Sequence, residues 1–230
     1  MLLALGAGSS IPGLIAYTFS AFVLASIALE FVRGTRARKA LGAKSWPSAF
    51  NSLMAQNRRR YGGYVVHAAI VLLAIGIVGS SAYQTVRDVR ATPGQTVEVA
   101  DYRLTYERLE RRAAANASET RAVLAVERGG RDLGTLKAGK NRYPVEQQTS
   151  NEVGIRSDLV TGEDLFVIAD QIYGGGAVQF RIFVKPLVNL IWLAGLVFVA
   201  GSLIALWPDP REERRLAARY ERQRALAAEA

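Results

Sequence analysis

Cysteine is absent from this chain, and histidine occurs once, at His67, among 230 residues. Without a thiol there is no disulfide, no cysteine nucleophile, no cysteine zinc site and no thioether link between this chain and a cofactor. Charge is missing too, but only locally. Ile11 to Leu29, Gly62 to Tyr83 and Pro186 to Trp207 contain no Asp, Glu, Lys or Arg. Each is long enough to carry a helix across about 30 Å of hydrocarbon. Three such runs predict an integral membrane protein.

The first run does not read as a signal peptide. Its basic residues follow the apolar stretch, in "EFVRGTRARK", whereas a signal peptide places them in front. The opening "MLLALGAGSS" reads as the end of an earlier loop or helix. That predicts the rear portion of a longer protein, or one half of a split one.

The distribution of charge orders the spans. Residues 33–60 hold eight Lys or Arg and no acid, and six Arg follow Trp207. Short basic loops beside spans stay in the cytoplasm. Residues 84–185 hold fifteen basic and fourteen acidic residues, so they are nearly neutral and belong on the far side. The net charge of +9 is therefore a topology signal. Nucleic-acid binding would need basic residues gathered on one folded domain, and these flank spans instead.

The stretch "SWPSAFNSLMAQNRRRY" brings Trp46, Phe50, Leu53, Met54 and Tyr61 close to helical spacing. It predicts a short helix, lying in the membrane interface or packed on the spans. Residues 84–185 read as β. Tyr102, Leu104 and Tyr106 alternate, as do Val178, Phe180, Ile182 and Val184. Turn signals at Pro93-Gly94, Gly129-Gly130, Thr161-Gly162 and Gly174 to Gly176 separate short strands, as in an antiparallel sandwich or small barrel. "ERLERRAAANASETR" fits an exposed loop or hairpin arm. The tail after Trp207 favours a solvated helix of mixed charge.

Two short motifs carry no function. Gly134, Gly139 and Lys140 have P-loop spacing, but Asn141 stands where a hydroxyl should hold magnesium, and Pro144 discourages the helix that must follow. The tripeptide Asn116-Ala117-Ser118 fits a glycosylation acceptor, which is common by chance.

His67 is the candidate of consequence. It lies about six residues, or roughly 9 Å of helix, past Tyr61. An ionisable group at that depth is expensive unless it faces the bundle interior and has a partner. Gly63, His67, Ala74 and Ser81 fall on one helical face, and most are small. Such a face admits another helix or a flat macrocycle. Imidazole is a standard axial ligand of haem iron, an ordinary interhelical hydrogen-bonding group, and a proton relay. The spacing leaves all three open.

"NRRRYGGYVVH" running into "LAIGIVGSSAY", and later "YGGGAVQFRIFVKPLVNLIWLAGLVFVAGSLIAL", resemble the C-terminal part of the CcmF family, the membrane haem-lyase component of system I cytochrome c maturation. The resemblance covers nearly the whole chain. It implies that His67 is an axial ligand of a b-type haem, with the second ligand from outside this chain. Arg59 or Arg60, at the inner boundary, could pair with the propionates of such a haem, although topology already accounts for both. No catalytic residue is assigned. The family's tryptophan-rich haem-handling segment, its two external histidines and its second membrane histidine are absent. This chain alone is therefore not expected to be active as a lyase.

The partners implied are the N-terminal portion of the lyase, a haem-carrier protein, apocytochrome c with its thiol-handling partner, quinol as electron donor, and the lipid bilayer. The resemblance places the chain in a bacterial inner membrane, with its β domain periplasmic. The expected organisation is a first transmembrane region (1–32), a basic cytoplasmic loop with an interfacial helix (33–61) and a second span carrying His67 (62–83). A β-rich extracytoplasmic domain (84–185), a third span (186–207) and a cytoplasmic tail (208–230) follow. The competing reading is a non-enzymatic membrane-anchored scaffold or binding module for an envelope complex.

Overall fold

The computed structural model describes residues 10–159, 161–208, 217–221 and 224. The tail helix expected after Trp207 lies largely outside the described residues. The chain divides into a helical unit, drawn from Leu14–Ala74 and the residues from Trp192 onward, and a second unit built on Ile75–Ile191.

Among the described residues, the chain forms the helices α1 (Ile11–Ala40), α2 (Trp46–Gln56), α3 (Arg58–Ala82) and α4 (Val188–Leu206), with a further helical stretch at 217–221. Of these, α1, α3 and α4 are long and apolar enough to cross a membrane. The first helix begins with Ser10 Oγ accepting from the Gly13 amide at 3.2 Å. It then runs through the basic segment to Ala40, well past residue 32. Nothing in "EFVRGTRARKA" breaks a helix, and the turn comes at Gly42, whose φ of +100° suits glycine. At 30 residues it is about 45 Å long, more than the hydrocarbon needs.

α2 starts at Ser45, whose side chain accepts from the Ser48 amide, with Pro47 in the first turn, where a missing N–H does no harm. Ala49 and Leu53 are buried, while Trp46 and Phe50 stay exposed. Phe31 of α1 joins the three helices, with its ring 5.8 Å from Phe50, 5.1 Å from Tyr61 and 6.2 Å from Tyr64. α3 and α4 approach through small residues. A methyl on Gly62 would lie 2.6 Å from the Ala205 amide nitrogen, and one on Gly201 would lie 2.9 Å from Val65 and Val66. Close backbone approach of this kind is how helices associate in lipid.

Among the described residues of the second unit, nine strands form two antiparallel sheets. They are β1 (Thr85–Ala91), β2 (Thr96–Val99), β3 (Tyr102–Ala113), β4 (Ser118–Arg128), β5 (Arg131–Tyr143), β6 (Gln148–Glu152), β7 (Gly154–Asp158), β8 (Glu163–Ile172) and β9 (Val178–Lys185). One sheet runs β1-β9-β8-β7 and the other β2-β3-β4-β5-β6. The architecture is a sandwich rather than a barrel, since the two sheets remain separate. Tyr102, Leu104, Tyr106, Leu124 and Val126 of one sheet share a core with Leu165, Val167, Phe180 and Ile182 of the other. The alternation at 102–106 and 178–184 is this core face. Tyr106 is 1% exposed, yet its hydroxyl donates to the Gly176 carbonyl at 2.9 Å, so the burial leaves no polar group stranded.

Arg128 ties the sheets together. From β4 it donates to Asp158 of β7 at 3.2 Å and Glu163 of β8 at 2.7 Å, and it sits 4.9 Å from the Tyr102 ring centre. Burial opposes its charge, but Tyr102, Glu163 and Asp158 outweigh that and raise its pKa. The 134–141 segment lies inside β5, paired along β4 from Thr135 and also with β6 from Gly139, so its glycine spacing sits in a strand and is no phosphate loop. The arginine-rich stretch is the end of the β3–β4 hairpin, with Ala113 opposite Ser118.

Candidate functional site on the third helix

α3 opens with three arginines and continues as an uncharged helix that carries His67 two turns in. Its imidazole Nδ1 lies 2.7 Å from the Gly63 carbonyl oxygen, one turn back on the same helix. A carbonyl only accepts, so Nδ1 must carry the proton. In the neutral ring the lone pair then sits on Nε2. The same backbone contact fixes the ring's orientation, as a hydrogen bond to the far nitrogen of a ligating histidine commonly does.

The direction of that ring differs from the sequence expectation. An intramembrane histidine should face the bundle interior, yet His67 is exposed. The reason lies in the helix itself. Gly62 and Ala69 are buried, Gly62 against α4, while Gly63, one residue on, has nothing within 4 Å of where a Cβ would stand. A step of 100° therefore turns His67, four residues after Gly63, onto the uncovered side. Ile70, 50% exposed, continues that side. The small residues bound an open face in this structure rather than a filled helix contact.

The arginines are differently placed. Arg60 Nη2 meets Glu30 Oε2 of α1 at 2.7 Å, and its Nε donates to the Tyr64 hydroxyl at 3.1 Å. Its guanidinium also lies 5.9 and 5.7 Å from the Tyr61 and Tyr64 ring centres. Arg60 is thus held by α1 and by its own helix. It stands seven residues from His67, hence on the same face and about 10 Å away along the axis. Arg59 precedes it in the first turn. Sequence reasoning did not connect Arg60 with Glu30. The signal was available, because Glu30 is the single acid before Asp88.

The chain can offer one imidazole ligand. His67 is the only histidine, there is no cysteine, and among the described residues no three metal-ligating side chains gather. A single exposed imidazole with Nδ1 engaged, beside a glycine with nothing within 4 Å of its would-be Cβ, leaves room for a flat ligand on this face.

Residues 82–186 match the family described as the CcmF C-terminal beta-sandwich. The chain is 30% identical over 190 residues to the cytochrome c-type biogenesis protein CcmF of Pseudomonas aeruginosa, covering 82% of this chain and 27% of that protein. It is 29% identical over 156 residues to CcmF of Escherichia coli, covering 68% of this chain and 24% of the relative. A further relative is the probable cytochrome c-type biogenesis protein NrfE of the same organism, 29% identical over 149 residues, 65% of this chain and 27% of that one. A solved structure, "Cytochrome c Heme Lyase CcmF", superposes with a TM-score of 0.58 at 21% identity, covering 80% of this chain and 34% of that one. This likeness speaks to fold. The chain spans about a quarter of the length of the curated relatives.

Proposed function

Because this chain belongs to the CcmF family of cytochrome c-type biogenesis proteins, corresponding to the family's C-terminal part, we propose that it serves a haem lyase by supplying one axial ligand of a membrane b-type haem. The observation that carries this reading is His67 on the uncovered side of α3, with Nδ1 engaged by Gly63 and Nε2 left for a metal. Bound there, a haem supplies a one-electron centre. His67 would hold its iron, and the Gly63 carbonyl would raise the imidazole's basicity and so stabilise the oxidised iron. Gly63 would leave room for the ring edge. Arg59 and Arg60 remain the nearest cations for propionates, although Arg60 would have to share its guanidinium with Glu30.

In this proposal the second ligand and the reacting surface lie outside this chain. The chain acts with the rest of the lyase, receives haem from a carrier protein and helps pass it to apocytochrome c, whose thiols a separate partner keeps ready. Quinol is the electron donor. The membrane is a bacterial inner membrane, and the sandwich stands on its periplasmic side.

The test is the reduced-minus-oxidised spectrum of the chain co-expressed with the rest of the lyase, for His67 and for His67→Ala. A b-type band present with His67 and lost in the variant, at equal membrane insertion, supports the reading. A band that survives the substitution, or none in either preparation, overturns it and leaves the scaffold alternative.

A further inference from the structure

The helical unit contains a groove of about 530 Å³ that the haem reading does not use. Met54 and Asn51 of α2, Arg58 at the start of α3, and Leu203, Ile204 and Trp207 at the end of α4 line it. Its surface is mainly apolar, with one cation at the end where the spans meet the basic loop. Trp207 is 63% exposed and Leu203 59%. Among the described residues, none of the lining is acidic. Arg58 makes one long contact, Nη1 to the Pro208 carbonyl at 3.4 Å. A guanidinium has five N–H donors, so this leaves it able to grip a phosphate.

An occupant must match an apolar trough ending in a cation, at a level where tryptophan marks the membrane interface. We propose that this groove binds an anionic phospholipid, with one acyl chain along Met54, Leu203 and Ile204 and its phosphate on Arg58. Charge complementarity decides between lipid classes. Residues 33–60 carry eight basic residues and no acid, and the acid that α1 does supply, Glu30, is taken by Arg60. A zwitterionic headgroup would bring an ammonium into that positive field, whereas phosphatidylglycerol brings none. A helix from a partner protein could fill the apolar part, but it would have to bring an acid to satisfy Arg58.

The experiment uses the full chain in nanodiscs, in a Trp46→Phe, Trp192→Phe background that leaves Trp207 as the sole tryptophan. Both replaced indoles are exposed, so the fold tolerates their loss. Trp207 fluorescence is read with chain-brominated phosphatidylglycerol or chain-brominated phosphatidylcholine at the same mole fraction. The expected result is preferential quenching by the anionic lipid, with an affinity advantage reduced about five-fold in Arg58→Gln. Arg36→Gln, an exposed change in the basic last turns of α1, should leave the preference intact. Equal quenching by the two lipids with Arg58 present overturns the proposal, and that comparison does not depend on the variant folding. No quenching by either shows the groove filled by protein, which also overturns it. Loss of the preference in millimolar inorganic phosphate would show a free-anion site instead of a lipid site.

Discussion

Two adjacent glycines in α3 show how much one residue's position on the helix decides. A methyl on Gly62 meets the backbone of Ala205, whereas one on Gly63 meets nothing within 4 Å. Gly62→Ala should push α3 and α4 apart and destabilise the helical unit by about 1–3 kcal/mol, the usual effect of overpacking a tight contact. Gly63→Ala should leave the melting temperature unchanged or raise it slightly, since alanine is the better helix former. Thermal unfolding of both variants in detergent checks this. Equal melting temperatures would mean that the α3–α4 approach is slack. His67 obeys the same geometry. Its helical face was legible from the spacing of Gly63, His67 and Ala74, but whether that face was covered was not. Hydropathy treats all sides of a span alike, and only the seating of Gly62 on α4 decides which side stays open.

At the level of elements, the strands hold charge pairs at fixed register. Asp88 of β1 sits opposite Arg181 of β9, with contacts of 2.7 and 3.0 Å. Hydrogen bonding to that arginine holds the Asp88 carboxyl below its usual range. Glu110 of β3 is lowered in the same way, first by Lys137 of β5 and then by Arg108. A carboxylate whose pKa falls on folding adds stability above its unfolded pKa, near 4, and loses it as pH drops through the folded value. The sandwich should therefore weaken below about pH 4. In an Asp88→Asn, Glu110→Gln variant the urea midpoint should vary less between pH 6 and 3 than in the parent. An unchanged pH slope would show that these exposed pairs contribute nothing. Such pairing explains strands that the pattern hid. β1 reads "TVRDVRA" and β6 reads "QTSNE", with little or no apolar alternation. Each is an edge strand defined by its neighbour, β9 or β5, and not by a face of its own. β3, β8 and β9 bury every second residue over much of their length and were readable for that reason.

For the molecule as a whole, the asymmetry of charge predicts that the α1–α2 turn and the sandwich face opposite sides of the membrane. The absence of cysteine makes the check clean. Leu41 is 80% exposed in that turn, and Val145 is 87% exposed between β5 and β6. Single cysteines at the two sites should label with an impermeant maleimide from opposite faces of sealed vesicles. Labelling of both from one face would reverse the reading of charge. The three spans and the β nature of residues 84–185 were legible because each repeats one pattern over many residues. The length of α1 was not, since its last turns are basic and helical at once.

The connection of β1 to β9 has a consequence in time. The five-stranded sheet is a meander, each strand pairing with the one just made, so it can assemble as its segments emerge. The other sheet cannot. Thr85 pairs with Val184, and β1 touches no other strand of its sheet. It must therefore wait, with its ladder groups open, until almost the entire domain has been synthesised. Only two residues separate β9 from α4. Closure of this sheet and entry of the final span are thus near-simultaneous events, and a ribosome stalled before residue 178 would leave a membrane protein whose second sheet is only the β7–β8 pair, with β1 unpaired and the far edge of β8 exposed.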